Sequence, residues 1–264
     1  MTQATFPWCK RYPTEQQILE WDKQATYRAI GVLEEKLGEE KFRNQVATLK
    51  GIDINQVTPT SSWDYDELRQ TLVSIKEDIG APAMQELLGD NISTSVKNVK
   101  QYISESKGET RPCSTVLLVP NYTAEQFVTQ FPLVFFGQYY DNHPEHFAFG
   151  DEPTEGDDIP DHYTVEFVCG EIHFVKILMH DDSKAVVDIE SPFHLVASAV
   201  TKDGTKIAGI THQYVDTPDG LEIRLHIEAP VAFKDDFILR HQEHFAVEFY
   251  NALKKMEPRP SLQA

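Results

Sequence analysis

The feature that most constrains the fold is a change in hydrophobic period at Tyr163. From there to Pro230, apolar and polar residues alternate, and turn sequences such as Asp203-Gly204 and Pro218-Asp219-Gly220 separate the alternating runs. Such a meander is typical of an antiparallel sheet. The predicted strands are residues 163–168, 172–180, 185–189, 193–201, 206–217 and 221–230.

The stretch after these strands predicts one long helix, from about residue 234 to about residue 256. Its apolar residues recur at helical spacing, and no Gly or Pro interrupts the run before Pro258. A meander followed by a long helix predicts an α+β fold of the helix-grip type (Bet v 1-like or START-like). In that arrangement a curved antiparallel sheet wraps a long C-terminal helix and leaves a ligand cavity between them.

Residues 1–108 predict a helical N-terminal region, and residues 109–264 the helix-grip domain with its cavity. The helical part contains no catalytic constellation, so we interpret it as a structural or dimer-forming layer and consider a homodimer possible. Its predicted helices are one capped by Thr14 and ending near Gly38, one over residues 39–49, one from Ser62 to Gly80, one from Pro82 and one over residues 91–105.

Two further elements link the helical region to the sheet. Residues 113–119 predict a strand, and Thr123-Ala124-Glu125-Gln126 has the form of a capping box that opens a helix to about Tyr140. Pro132 lies inside that helix and is expected to kink it. The acidic loop that follows, residues 151–161, is interpreted as solvated and is assigned no metal.

Composition limits the possible partners and the compartment. The 264-residue chain carries a net charge of -18, which disfavours a nucleic-acid or anionic membrane partner because both would be repelled. No apolar run approaches a membrane span, and the N-terminus lacks a secretory layout, so we expect a cytoplasmic protein. The three cysteines suggest reduced thiols rather than a disulfide framework.

The ten histidines all lie after residue 142, so imidazole chemistry would belong to the second half of the chain. On the last predicted helix, His244 and Glu248 are four residues apart and therefore project from one face. Such a pair could ligate a divalent metal, and nitrogen with carboxylate oxygen suits zinc. The alternative is a solvated helix face with a weak side-chain contact.

Three segments together resemble the 2,4-diacetylphloroglucinol hydrolase and phloretin hydrolase family. The first, Val165-Glu166-Phe167-Val168-Cys169-Gly170, is similar to a Glu-containing strand of that family. The second combines Gly209-Ile210-Thr211-His212-Gln213-Tyr214 with Asp219-Gly220-Leu221-Glu222-Ile223-Arg224, and resembles a His-Gln strand, a Gly turn and the next strand. The third is the His244–Glu248 pair, and the whole resemblance covers about half of the chain.

The resemblance implies a helix-grip domain that holds zinc and hydrolyses the carbon–carbon bond between an acyl group and a phenolic ring. Carried over, Glu166, His244 and Glu248 are metal ligands, and His212 contacts a phenolic hydroxyl. The family's remaining ligand is a His followed three residues later by an Asn. Here Tyr139 stands in the His position and Asn142 in the Asn position.

This departure leaves one imidazole to be supplied by His143 or His146, unless the site has lost a ligand. We take His143 as the candidate fourth metal ligand, and Tyr139, Asn142 and His212 as candidate catalytic residues. Glu166 lies on a strand, and alternation alone does not say which side of the sheet it faces.

The functional hypothesis is a zinc-dependent hydrolase of a small hydrophobic or phenolic ketone. One alternative is a non-catalytic small-molecule binding protein with the same cavity. Another is a lyase, isomerase or cyclase that acts on a polyketide-like ligand.

Overall fold

The computed structural model describes residues 12–152, 161–168 and 170–256, which form mixed α-helices and β-strands. The helices are α1 Glu15–Leu37, α2 Glu39–Lys50, α3 Tyr65–Ile79, α4 Ala81–Leu87, α5 Gly89–Ser106, α6 Ala124–Gly137, α7 Tyr139–Asn142 and α8 Asp235–Leu253. The strands are β1 Thr110–Val119, β2 His146–Glu152, β3 Asp161–Val168, β4 Glu171–Met179, β5 His194–Val200, β6 Lys206–Thr217 and β7 Gly220–Pro230.

Helix boundaries follow local signals in the sequence. Thr14 caps α1 through a complete capping box with Gln17, and Thr123 caps α6 in the same way with Gln126, as predicted. Gly38, at φ 78°, separates α1 from α2. A positive φ is accessible to Gly because it has no Cβ, so this residue permits the chain to reverse between the two helices.

The strands form one seven-stranded antiparallel sheet in the order β1-β7-β6-β5-β4-β3-β2. It is a meander in which β1 pairs with β7, the last strand, and the sheet is open. Strands β3 to β7 therefore lie between the two edge strands, β1 and β2. The structure describes no helix that combines the length and the apolar character needed to cross a bilayer.

The predicted helix-grip fold is wrong. The sheet is not closed around a single C-terminal helix, because helices from both ends of the chain pack together: α8 contacts α1 and α7 as well as β1 and β3. The N-terminal helices α4 and α5 also pack directly on β2 and β4. The division at residue 108 stays a prediction, although one hydrophobic cluster includes both Leu72 of α3 and Val165 of β3.

Three local predictions are also corrected. Ser62 does not cap α3, since the Asp64 side chain accepts from the backbone N–H of Glu67. Residues 185–189 form no strand; they cross the face of β6, where the Val186 N–H donates to Thr211 Oγ1. The predicted helix to Tyr140 breaks at Gln138, which separates α6 from α7.

The two faces of β2–β4 pack against different surroundings. On β3, Val165 joins the N-terminal helices in a hydrophobic cluster, whereas the alternate residues Thr164 and Glu166 line an internal cavity. On β4, Phe174 and His173 divide in the same way. We call these the helical face and the cavity face of the sheet.

Candidate metal centre and ligand cavity

The cavity face encloses a space of about 400 Å³ between the sheet, α6 and α8. Its walls are largely aromatic and aliphatic, and they include Phe131 and Phe135 of α6 and Phe249 of α8. Twelve side chains with polar atoms interrupt this lining, whose exposed area remains mainly apolar, as is typical of small-molecule sites. They are Tyr139, His162, Tyr163, Thr164, Glu166, His173, His194, His212, Tyr214, His241, His244 and Glu248.

Two imidazoles and two carboxylates meet at one end of this cavity. His146 Nε2 lies 3.1 Å from His244 Nε2 and 3.3 Å from Glu248 Oε1. His244 Nε2 lies 3.5 Å from Glu166 Oε2. β2, β3 and α8 therefore bring together side chains that are distant in the sequence, and all four are largely removed from solvent.

His146 reaches this point because β2 contains a bulge. His146 pairs with Glu166 and Ala148 pairs with Val165, so Phe147 is an extra residue between the two pairs. Phe147 and Ala148 both join the hydrophobic cluster on the helical face, while His146 lies on the same side as Glu166. In a regular strand, alternation would place His146 on the helical face instead.

The hydrogen bonds of His146 leave one ring nitrogen available to a metal. Its Nδ1 contacts the Tyr139 carbonyl oxygen at 3.4 Å, and since a carbonyl only accepts, Nδ1 carries the proton. Nε2 then presents its lone pair to His244 and Glu248. A ring N–H that donates to a carbonyl is the usual support of a metal-ligating histidine.

His143 belongs to the same buried group of three imidazoles, but its hydrogen bonding differs. The three offer ring nitrogens within 4.8 Å of one another, and together they could hold a metal ion. His143 Nδ1 accepts from the Glu145 backbone N–H at 3.1 Å, which puts the proton of the neutral ring on Nε2. Its ring stacks on His244 at 3.7 Å between centroids. The geometry therefore favours His146 over His143 as a ligand.

The pKa shifts at the centre indicate that a bound cation would stabilise its buried carboxylates. Burial, followed by repulsion from Glu248, raises the pKa of Glu166 to about 8. Burial holds the pKa values of His143 and His244 well below the usual value, so both rings are neutral near pH 7. The neutral imidazoles are in the protonation state that a divalent cation requires, whereas Glu166 keeps its proton near pH 7 unless a cation displaces it.

The distances between the donor atoms also suit a small cation. An ion with tetrahedral ligand bonds of about 2.1 Å separates its ligand atoms by about 3.4 Å. The three measured separations, 3.1, 3.3 and 3.5 Å, lie close to that value. Without a cation, the two Nε2 atoms would share a single proton or repel each other.

The N-terminal helices contact residues 139–146, which carry His143 and His146 and which we call the histidine segment. Three buried or half-buried cations on α1 and α3 contact it. Arg28 Nε bonds Glu145 at 2.6 Å, Arg69 donates to the Asp141 carbonyl at 2.9 Å, and Lys76 Nζ donates to the Pro144 carbonyl. Lys76 is fully buried, and burial lowers the pKa of its amine well below the usual value.

His212 lies on the cavity face of β6. Its Nδ1 accepts from the His226 backbone N–H at 3.1 Å, so Nε2 carries the proton. Burial lowers the pKa of His212 to about 3, and the neutral ring lies edge-on to Phe245 and Phe249. His212 can therefore donate a hydrogen bond to an oxygen atom in the cavity.

Four cavity histidines had no functional role assigned from the sequence: His162, His173, His194 and His241. His173 lies on β4, in register with Glu166, and His241 lies one turn before His244 on α8. Burial lowers the pKa of these two imidazoles to about 4. The spacing of His241 and His244 was the available signal for His241, whereas nothing in the alternation of β4 distinguished His173.

The structure places Tyr139 beside the centre and Asn142 away from both the centre and the cavity. Tyr139 stacks on His146 at 4.3 Å between centroids, and its hydroxyl donates to Thr164. Asn142 donates to the Phe135 carbonyl at 2.7 Å and accepts from Lys255 at 3.0 Å. Its side chain ties the end of α6 to the end of α8.

Comparison with known proteins adds no functional information. No protein-family model matches the chain, and no curated protein matches its sequence. Among solved structures, a Staphylococcus aureus protein of unknown function aligns at 9% identity and a TM-score of 0.29. The alignment covers 56% of this chain and 90% of that one, and a likeness this distant carries no argument.

Proposed function

We propose that the protein is a zinc-dependent hydrolase that cleaves the carbon–carbon bond between an acyl group and a phenolic or polyketide-derived ring. One observation carries the proposal: two imidazoles and two carboxylates converge at the wall of a cavity lined by aromatic rings. The resemblance of the Glu166, His212 and His244–Glu248 segments to ring-deacylating hydrolases supplies the reaction class.

The proposed ligand set is His146, Glu166, His244 and Glu248. Two nitrogen and two carboxylate oxygen ligands at these separations suit zinc, which accepts four-coordinate sites with mixed N and O donors. His143 would instead position His244 through the ring stack. The family pattern places a His where this chain has Tyr139, and here His146, seven residues later, would take that role.

The walls of the cavity would select the substrate. Phe131, Phe135 and Phe249 would contact the ring of an aromatic ligand, and His212 Nε2–H would donate to one of its hydroxyl or carbonyl oxygens. The net charge of -18 disfavours a strongly anionic substrate. A neutral, hydroxylated aryl ketone fits both conditions.

Hydrolysis adds the hydroxyl of water to the acyl carbon and the proton to the ring carbon, giving an acid and a deacylated ring. When bound, zinc would polarise the acyl carbonyl and lower the pKa of water. His212 is neutral and carries its proton on Nε2, so it would donate a hydrogen bond to the ring oxygen. The ring carbon would meanwhile accept the proton that comes from water. The apolar walls would exclude bulk water from the reacting bond.

Metal analysis of four variants tests the ligand set. His146→Gln, His244→Ala and Glu248→Ala should each lose most of the zinc that co-purifies with the wild-type protein. His143→Gln is the matched control, because a Gln side-chain oxygen can still accept from Glu145 and the ring nitrogen it replaces is not a proposed ligand. Loss of zinc in His143→Gln, with retention in His146→Gln, would reverse this assignment.

Product analysis tests the reaction. Zinc-loaded protein incubated with a panel of hydroxylated aryl ketones should release a carboxylic acid and a deacylated phenol in equal amounts. A rearranged, cyclised or eliminated product without free acid would indicate a lyase, isomerase or cyclase instead.

The alternative is a small-molecule binding protein without catalysis, which the size and apolar lining of the cavity favour. A carrier would bind a phenol such as 2-naphthol equally well with and without zinc, and would leave every ketone intact. Tight binding with no turnover in the zinc-loaded protein would support the carrier over the hydrolase.

A further inference from the structure

A second internal space reaches His244, one of the proposed metal ligands, from the side opposite the ligand cavity. It has a volume of about 220 Å³ and lies between α1, α8, the histidine segment and the end of β3. His244 lines both spaces, whereas His143 lines only the second. His244 is therefore part of the wall between them.

The linings of the two spaces differ in polarity. The ligand cavity is walled mainly by aromatic and aliphatic side chains, whereas the second space contains Arg28 and Glu145 on one side and Arg240 and Glu243 on the other. Each arginine is bonded to its neighbouring glutamate, at 2.6 and 3.0 Å respectively. Ion pairs of this kind favour water inside the second space, because water satisfies the hydrogen-bond donors and acceptors that the pair itself does not.

The second space also opens towards solvent. The Arg28 and Arg240 side chains retain 35% and 38% exposure, whereas Glu145 retains 6%. The polar lining therefore runs from the surface to the buried His143 and His244 rings. At that inner end, His244 Nδ1 is buried and has no hydrogen-bond partner among the described residues, which is a position that ordered water usually fills.

We propose that this second space is the route by which water reaches the candidate metal centre, separate from the ligand cavity. The inference rests on the proposed hydrolysis, which consumes one water for each bond cleaved. An aromatic ligand that fills the apolar cavity displaces water from that side. Water held in the polar space would pass the stacked His143 and His244 rings to reach the centre while the ligand stays bound.

The test measures water access directly, without turnover. Mn²⁺ is bound at the centre in place of zinc, and the ligand cavity is filled with 2-naphthol, a phenol that has no acyl bond to hydrolyse. The enhancement of water-proton relaxation by bound Mn²⁺ then reports how readily water exchanges at the centre. In the wild-type protein most of this enhancement should persist when 2-naphthol is bound.

Two variants narrow the space and two serve as comparisons. Ala25→Leu places a larger side chain in its wall, and Arg240→Trp partly closes its mouth; both should lose most of the enhancement in the presence of 2-naphthol. Arg240→Ala widens the mouth and should lose none. Leu239→Trp, at an exposed position on the same helix outside both linings, controls for the added ring.

Metal content, 2-naphthol affinity and thermal unfolding of each variant confirm that the centre and the fold are intact. Loss of the enhancement when 2-naphthol binds the wild-type protein would overturn the route, because water would then enter through the ligand cavity. Full enhancement in both narrowing variants would also overturn it. Absence of ketone hydrolysis with a normal relaxation pattern would reject the proposed reaction and leave the water route standing.

Discussion

The two faces of β2–β4 are built from alternate residues of the same strands, yet one is filled and the other is hollow. On the side of the helical face, α3 side chains such as Leu68, Leu72 and Ile75 are fully buried in the hydrophobic cluster that also includes Val165 of β3. On the cavity face, β3 and β4 border a space of about 400 Å³. The cavity face, where the ionisable side chains converge, is therefore the face that is left unfilled.

This difference in packing gives the two faces different roles. The helical face uses close packing and buried cations to hold the histidine segment from behind. The cavity face presents His146 and Glu166, whose side chains are supported from the other side of the same strands. A site supported in this way can keep its geometry while leaving room for a ligand.

The largest expected effect comes from the same truncation made on each face. Leu72→Ala, on the helical face, should cost about 2–5 kcal/mol of unfolding free energy because the close packing cannot refill the void. Leu195→Ala, in the wall of the existing cavity, should cost less than about 2 kcal/mol. Urea denaturation of both variants measures the difference in unfolding free energy. Equal losses in the two variants would show that the two faces are packed equally closely.

Lys76→Met separates stability from site geometry. The substitution removes a buried amine whose pKa burial lowers, and with it the hydrogen bond to the Pro144 carbonyl. Since outer support of a metal site is typically worth 10–100-fold, zinc affinity should fall by about that factor, while the melting temperature changes little. Competition with a chelator measures the affinity. Leu68→Met, which alters a buried side chain on the same helix and removes no hydrogen bond to the histidine segment, is the control.

Filling each face tests which one is hollow. Ala208→Phe inserts a ring into the cavity and should weaken 2-naphthol binding by at least about tenfold with little loss of stability. Ala29→Phe, on the helical side, should instead cost about 1–3 kcal/mol through overpacking and leave 2-naphthol binding unchanged in the folded fraction. Fluorescence titration and thermal unfolding distinguish the two outcomes.

The smallest effect is expected for Tyr139→Phe at the border between the faces. The variant loses the hydroxyl bond to Thr164 but keeps the ring stacked on His146 and the backbone carbonyl that orients it. We expect a loss of about 1 kcal/mol in stability and unchanged zinc content. A loss of zinc as large as that in His146→Gln would mean that the tyrosine hydroxyl itself supports the metal.

Much of the fold was predictable because its signals are local. The capping boxes at Thr14 and Thr123, and the alternation over β6, specify their elements through contacts within a few residues. Residues 185–189 have the composition of a strand but lie across β6, held by bonds to Thr211 and Gln213 that are distant in the sequence. The packing of α1 against α8, which rules out the helix-grip arrangement, is equally non-local.

The site was predictable only in part, for related reasons. His244 and Glu248 share a helix face, so their proximity follows from the spacing alone. To know which face of the sheet Glu166 lies on, one needs the register of β3 with β2. To prefer His146 over His143 as a ligand, one needs the position of the bulge and the hydrogen bonds of each ring. β2 itself was not predicted, because the bulge at Phe147 interrupts the alternation that identifies a strand.

The bulge at Phe147 also makes the candidate centre depend on how β2 is paired, and not only on which residues it contains. If β2 paired without the bulge while Ala148 stayed opposite Val165, His146 would move opposite Phe167 and turn to the helical face, and the centre would be lost with every proposed ligand still in the chain. Deleting Phe147 would have a different outcome, because His146 would then directly precede Ala148 and stay opposite Glu166. Phe147 itself therefore serves the packing of the helical face, and its deletion would lower stability while keeping His146 beside the other ligands.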